Sequence, residues 1–329
     1  MKLAASCLLV LVHVTFPGKY GYLVECIGRF GVPFFFAVSG YYSYKTTSDR
    51  YPKRIKKLFS VLLITDIIYI CWGIFSNVVL SGGSLREYLT SLMPLNHIAR
   101  FFFLDNRTDH MTFHMWYITA EIKVYIALFV YQIFTNNCHN YKPLYLTAAS
   151  AFMFFIIFGI NGLASGQKFD ISITRNSLFY AFPLVMSGVF QRQYEKNYFT
   201  RFRLTRPRLL LIIVFGMLAT FLECFGIGRS EMALGMLPVV WSTILLLTGF
   251  PIPDTALTNR LSDHIRDIET MSLIVYIIHP LAHYICSSFD IPEKLSISYR
   301  FYPLMVLFIS LGASIIYCLT RKLFYVRQK

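Results

Sequence analysis

The chain has 329 residues, of which 56% are hydrophobic, 17% aromatic and 15% charged, with a mean hydropathy of +0.54. So little charge and so much apolar content exclude an ordinary soluble globular domain. The formal net charge of +14 invites a nucleic-acid reading, but the cations cluster in short segments between apolar runs, which is how membrane topology signals are distributed, so no nucleic-acid partner is expected.

Runs apolar and long enough to cross a bilayer fall near 1–17, 24–45, 58–80, 113–134, 144–161, 175–191, 208–227, 231–250, 270–288 and 301–320. The expectation is an all-α, polytopic membrane protein of about ten transmembrane helices, forming one domain over 1–329 in a cell (plasma or inner) membrane. The first run is short. Either it tilts or thins the bilayer, or the chain extends upstream of Met1; no A-x-A pattern follows it as a cleaved signal requires. One set of alternate loops holds about twice as many lysines and arginines as the other. That set includes Lys2, the 45–57 segment, 192–208 and the C-terminus, so both termini are expected to be cytoplasmic and the loop 81–112 outside. No internal repeat is visible.

In the first run, Lys2 and His13 stand eleven residues apart, almost three helical turns, so they share one face with about 16 Å between them. A titratable group inside a membrane is costly and marks a functional candidate. The second run opens on Gly28-Arg29-Phe-Gly-Val-Pro33, placing Arg29 at the outer mouth of the span. Ser39 and Gly40 further on are small enough for close helix packing.

At the cytoplasmic start of the third run come Lys53, Arg54, Lys56 and Lys57. They suit phosphate groups, or serve as a topology anchor touching anionic lipid. Asp66 lies deeper in that run. The fourth run brings His114-Met-Trp116 and then Glu121 and Lys123; Glu121 is either a packed polar group or a proton or substrate contact. His279 and His283 in the ninth run have i, i+4 spacing, as do His110 and His114. No third metal ligand accompanies them, so no metal site is expected. The seven cysteines are scattered without metal spacing.

Taken together, these segments resemble membrane acyltransferase family 3, integral-membrane enzymes that O-acylate extracytoplasmic sugars. Lys2 and His13 match that family's basic residue, ten residues, then histidine. Arg54 and Lys57 match its basic pair at the third span. The run at 28–41, His114-Met-Trp116, Arg175-Asn176-Ser-Leu-Phe and Ile277-Ile-His279-Pro also look like family segments.

The resemblance implies an acyl-CoA donor, acetyl-CoA foremost, on the cytoplasmic side, and a sugar or glycan hydroxyl as acceptor outside. It implies donor contacts from Lys2, Arg54 and Lys57. His13 would be general base, with Arg29 polarising the thioester carbonyl or gripping the acceptor, and Glu121 a further catalytic candidate. Trp116, Arg175 and His279 are expected at the acceptor. No esterase domain is fused, so a glycan-assembly partner would be a separate chain. The alternative class is a membrane transporter of a small solute such as serine, using the same buried ionisable groups.

Overall fold

A computed structural model describes residues 1–92, 112–164, 175–226, 233–250 and 264–327. The described residues are helical, with no strand among them. His110 and most of the 81–112 loop lie outside them.

The helices follow the apolar runs. They are α1 (Lys2–His13), α2 (Gly18–Gly28), α3 (Gly31–Tyr41), α4 (Tyr51–Ile74), α5 (Leu85–Leu92), α6 (Trp116–Phe134), α7 (Lys142–Ala164), α8 (Phe182–Thr200), α9 (Arg206–Gly226), α10 (Met236–Gly249), α11 (Ile265–Ser288), α12 (Ile291–Lys294) and α13 (Tyr302–Arg327). Among the described residues, six segments are long and apolar enough to cross a membrane: Gly18–Tyr41, Ser48–Leu80, Phe113–Phe134, Arg206–Gly226, Ile265–Ser288 and Tyr302–Leu323. Shorter apolar helices occupy Lys2–His13, Lys142–Ile157 and Met236–Gly249. Large apolar side chains stand exposed along α4 (Leu63, Ile64, Ile67), α9 (Phe215, Leu218, Leu222) and α13 (Ile316, Leu319). Outward-facing apolar stripes of this kind suit contact with lipid.

The chain packs as two compact units. Unit 1 comprises Met1–Phe35 and Leu204–Lys329, and unit 2 comprises Phe36–Arg203.

In unit 1, α1 ends at His13 for a local reason. Pro17 disfavours helix at the residue before it, and Gly18 takes a left-handed φ of 72°. At twelve residues, α1 rises about 18 Å, less than a bilayer core. The chain then reverses, and α2 runs back along α1, Gly28 facing Leu8 and Val12, and Gly31 facing Leu9. The second apolar segment thus begins at Gly18, earlier than the 24 that apolar content alone marks. This corrects the expected position of Arg29. It sits midway along Gly18–Tyr41, at the break between α2 and α3. Pro33, having no N–H to give the carbonyl of residue 29, accounts for that break. On the other side of α1 lie α11 and α13, around a core of Val10, Val14, Val275, Ala282, Cys286, Tyr302 and Val306.

In unit 2, α4 starts with Pro52 in its first turn, where a missing N–H costs nothing. Asn176 caps the turn leading into α8, its side-chain oxygen accepting from the amides of Leu178 at 2.7 Å and Phe179 at 3.3 Å. The close helix contact expected at Ser39-Gly40 is present. Gly40 lies against the Val185 backbone of α8, and Gly188 of α8 against the Ala37 carbonyl, so a side chain at either position would collide with main chain.

Candidate functional site

Three polar contacts join α1 to α11 in unit 1. Lys2 Nζ meets Glu269 Oε1 at 2.7 Å. Ser6 Oγ reaches both the carbonyl and the hydroxyl of Ser272 at 2.8 Å, fully out of solvent. The His13 and His279 rings stack with centroids 5.2 Å apart and planes 21° from parallel. Residue numbers rise together across the three, so the two helices run in the same direction. Lys2 and His13 do share a face, and that face is turned to α11.

His279 is completely buried. Its Nδ1 lies 3.2 Å from the Val275 carbonyl. A carbonyl only accepts, so Nδ1 carries the proton and Nε2 is the basic nitrogen. One turn on, His283 Nδ1 lies 2.7 Å from the Tyr302 hydroxyl of α13. His279 and His283 therefore serve different partners despite their i, i+4 spacing. At the far end of α11, Asp267 takes Arg321 at 2.9 Å and Lys322 at 2.6 Å, so α13 runs antiparallel to α11. Arg29 pairs with Glu25 one turn earlier at 2.6 Å, both side chains largely withdrawn from solvent.

Unit 2 holds a second constellation. Glu121 is buried, and its Oε1 accepts from Ser39 Oγ at 2.5 Å. The hydroxyls of Tyr117 and Tyr125 reach the same pair. Arg54 lies over the Tyr125 ring, 5.8 Å from its centroid. It also donates to Ser43 Oγ at 2.8 Å and to the Tyr42 carbonyl at 3.0 Å. That carbonyl follows the end of α3, where helical acceptors run out of intrahelical donors, so Arg54 ties α4 to α3. Lys53, Lys56 and Lys57 are exposed. Arg54 and Glu121 are thus brought together around Tyr125.

Trp116 is buried against Phe36 and Tyr180. Arg175 stands over the Phe113 ring at 5.9 Å, and His114 is buried beside Tyr69.

Sequence reading missed Ser6, Ser272, Glu269 and Glu25, and took Ser39 only as a small residue. The signal for Ser272 lay in α11 itself. Glu269, Ser272, Tyr276, His279 and His283 alternate by three and four, the spacing of one helix face. Nothing in the α1 sequence names Glu269 as the partner of Lys2, because that pairing is tertiary.

Comparison with known proteins bears on this arrangement. The acyltransferase domain model of acyltransferase family 3 matches residues 1–319. A serine/alanine racemase of Enterococcus gallinarum is 24% identical over 340 residues, covering 95% of this chain and 43% of the racemase. The chain thus spans less than half the length of that curated relative. No solved structure matches it significantly. With the family model covering nearly its whole length, the chain belongs to acyltransferase family 3, and its long apolar helices are those of a multi-pass membrane protein.

Proposed function

We propose that the protein moves an acyl group, acetyl foremost, from cytoplasmic acyl-CoA to a hydroxyl of an extracytoplasmic sugar or cell-surface glycan. The observation that carries this reading is the stacked His13–His279 pair, placed midway along α11 in a chain of acyltransferase family. In this reading His13 takes the proton of the attacking hydroxyl, the general-base role that an imidazole most often fills. His279, with its tautomer fixed by Val275, orients it. Arg29 steadies charge developing on the thioester oxygen, and Glu121 serves as a further polar contact. Trp116 and Arg175 bind acceptor. Lys2, Arg54 and Lys57 bind the donor's phosphates, and glycan-assembly enzymes supply the acceptor.

Sidedness is part of the proposal: ten crossings, both termini cytoplasmic, and 81–112 outside. The packing within unit 1 supports it. Lys2, Arg321 and Lys322 gather at one end of α11, as loop charge assigns them to one side. A cysteine at Ser84 is expected to react with an impermeant maleimide in intact cells, after the native cysteines, Cys71 and Cys138 being the exposed ones, are replaced. A cysteine at Thr200 is expected to react only after permeabilisation. The reverse pattern would put the basic segments in a compartment without acyl-CoA and end the proposal.

The donor contacts separate by their surroundings. Lys57→Ala is expected to raise the apparent KM for acetyl-CoA several-fold with kcat little changed, because an exposed cation binds phosphate equally in ground and transition states. Arg54→Ala is expected to raise KM and also lower thermal stability, since it releases Tyr42 and Ser43. Kinetics over a donor titration, alongside melting of each variant, checks both. Wild-type donor dependence in the Lys57 and Arg54 variants would return the segment to a topology anchor.

A further inference from the structure

Within unit 1, α1 and α11 run in the same direction but differ in length. α1 stops at His13, level with His279, while α11 continues to Ser288, about 13 Å further. Past the stacked histidines, α11 therefore has no turn of α1 beside it. His283 lies on that stretch, one turn beyond His279. It is half-buried, whereas His279 is fully buried. The start of α13 closes one side. The buried Tyr302 ring lies 5.6 Å from the His283 ring, and its hydroxyl lies 2.7 Å from His283 Nδ1. Tyr302 in turn stacks on Tyr299, with centroids 5.9 Å apart and planes 28° from parallel. Tyr299 is 76% exposed. Rings thus succeed one another from Tyr299 at the surface, through Tyr302 and His283, to His279 and His13. This end of the unit is the one away from Lys2, Arg321 and Lys322, the extracytoplasmic end in the sidedness proposed above.

We propose that Tyr299 and His283 form a saccharide subsite, which holds a sugar ring of the acceptor other than the one that is acylated. The inference rests on the acyl-transfer reading above. A pyranose has an apolar face of C–H groups and an edge of hydroxyls, so it needs an aromatic face and a polar group beside it. Tyr299 supplies the first. One side of its ring is fixed by Tyr302, and the electron-rich face of the other attracts C–H groups. His283 supplies the second. Its Nδ1 is held by Tyr302, and its Nε2 makes no hydrogen bond among the described residues, so it can meet a sugar hydroxyl as donor or acceptor. Aromatic surface with a few placed polar groups is the usual make-up of a small-molecule site. A ring seated on Tyr299 is separated from His13 by Tyr302, His283 and His279. The hydroxyl that reaches His13 then belongs to another ring of the same molecule. The acceptor is accordingly an oligosaccharide or polymer, and a single sugar is a poor one.

Tyrosines at helix ends also serve as interfacial belts, each ring set among lipid headgroups. Tyr20, in the first turn of α2 at the same end of the unit, fits that description. It is 79% exposed and has no ring partner among the described residues. Tyr299 differs, because it rests on a buried ring that is hydrogen-bonded to the helix carrying His279.

Acceptor length tests the subsite. Oligosaccharides cut from the cell's own surface glycan and sorted by length, together with methyl glycosides of its single sugars, are supplied with acetyl-CoA to the protein in detergent. Thiol release is followed. In the wild type, KM for the acceptor is expected to fall with length. Tyr299→Ala is expected to raise KM for the longer acceptors about tenfold, the upper end for one aromatic stacking contact, and to flatten the length dependence, with KM for acetyl-CoA unchanged. Tyr299→Leu, which stays apolar but has no ring face, is expected to behave like Tyr299→Ala, and Tyr299→Trp like the wild type. Tyr299 is exposed, so the variants are expected to melt near the wild type. A wild type indifferent to length, or a Tyr299→Ala or Tyr299→Leu variant that keeps the wild-type length dependence, overturns the subsite and leaves acyl transfer standing. A wild type that releases no thiol with any of these glycans overturns the acyl-transfer reading and the subsite with it.

Discussion

Replacing His13 by Ala is expected to cut acyl transfer by about a hundredfold to ten-thousandfold, the range for removing a general base, while the protein still inserts and folds. The fold survives because His13 ends α1 and is only half-buried, and its ring contributes one stack, worth about 0.5–1.5 kcal/mol. The chemistry fails because His279 has one ring nitrogen committed to Val275 and keeps the other within a wholly buried pocket. It positions its partner and has no access of its own to a hydroxyl arriving from outside. Thiol release from acetyl-CoA, measured beside melting temperature, checks both halves. Activity within a few-fold of wild type would remove His13 from the reaction.

The second large effect concerns Arg29. Its pairing with Glu25 lies where side-chain exposure is 14% and 9%. Arg29→Met takes the guanidinium away from a buried carboxylate, a change that costs about 3–5 kcal/mol, so the single variant is expected to melt far below wild type. Adding Glu25→Gln removes the buried charge as well, and most of the stability is expected to return. Activity is expected to stay low in the double variant, because the cation proposed to face the thioester is gone in both. Thermal unfolding in detergent and thiol release, measured on the singles and the double as a cycle, separate the two roles. Activity that returns together with stability would make Arg29 a structural residue and nothing more.

The helical class was legible in the sequence, since the apolar runs fall on helices among the described residues, six of them long and apolar enough to cross a membrane, and their ends moved where local chemistry outweighed hydropathy. Pro17-Gly18 stops α1 at His13 and starts α2 early, which carried Arg29 from a membrane mouth to the middle of a segment. Lys2 and His13 were readable as a pair because helical geometry fixes their common face. Their partners were not. Glu269, Ser272 and His279 stand more than 260 residues away in the chain, and only packing selects α11 as the neighbour. Arg54 shows the same limit. Its charge spoke for phosphate, whereas its hydrogen bonds to Ser43 and Tyr42 come from the turn between α3 and α4. Ser39 read as a spacer because a small side chain satisfies two descriptions at once, and its bond to Glu121 depends on which helix α3 meets.

The central claim is that an acyl group leaves acyl-CoA on one side and reaches a glycan hydroxyl on the other through His13. Purified protein in liposomes enclosing the cell's glycan, with labelled acetyl-CoA added outside, tests it most directly. The account predicts label covalently on the enclosed glycan, one free thiol outside for each acetyl transferred, and neither with His13→Ala. Uptake of a small solute such as serine, without thiol release and without acyl-CoA, would contradict it and make the protein a carrier.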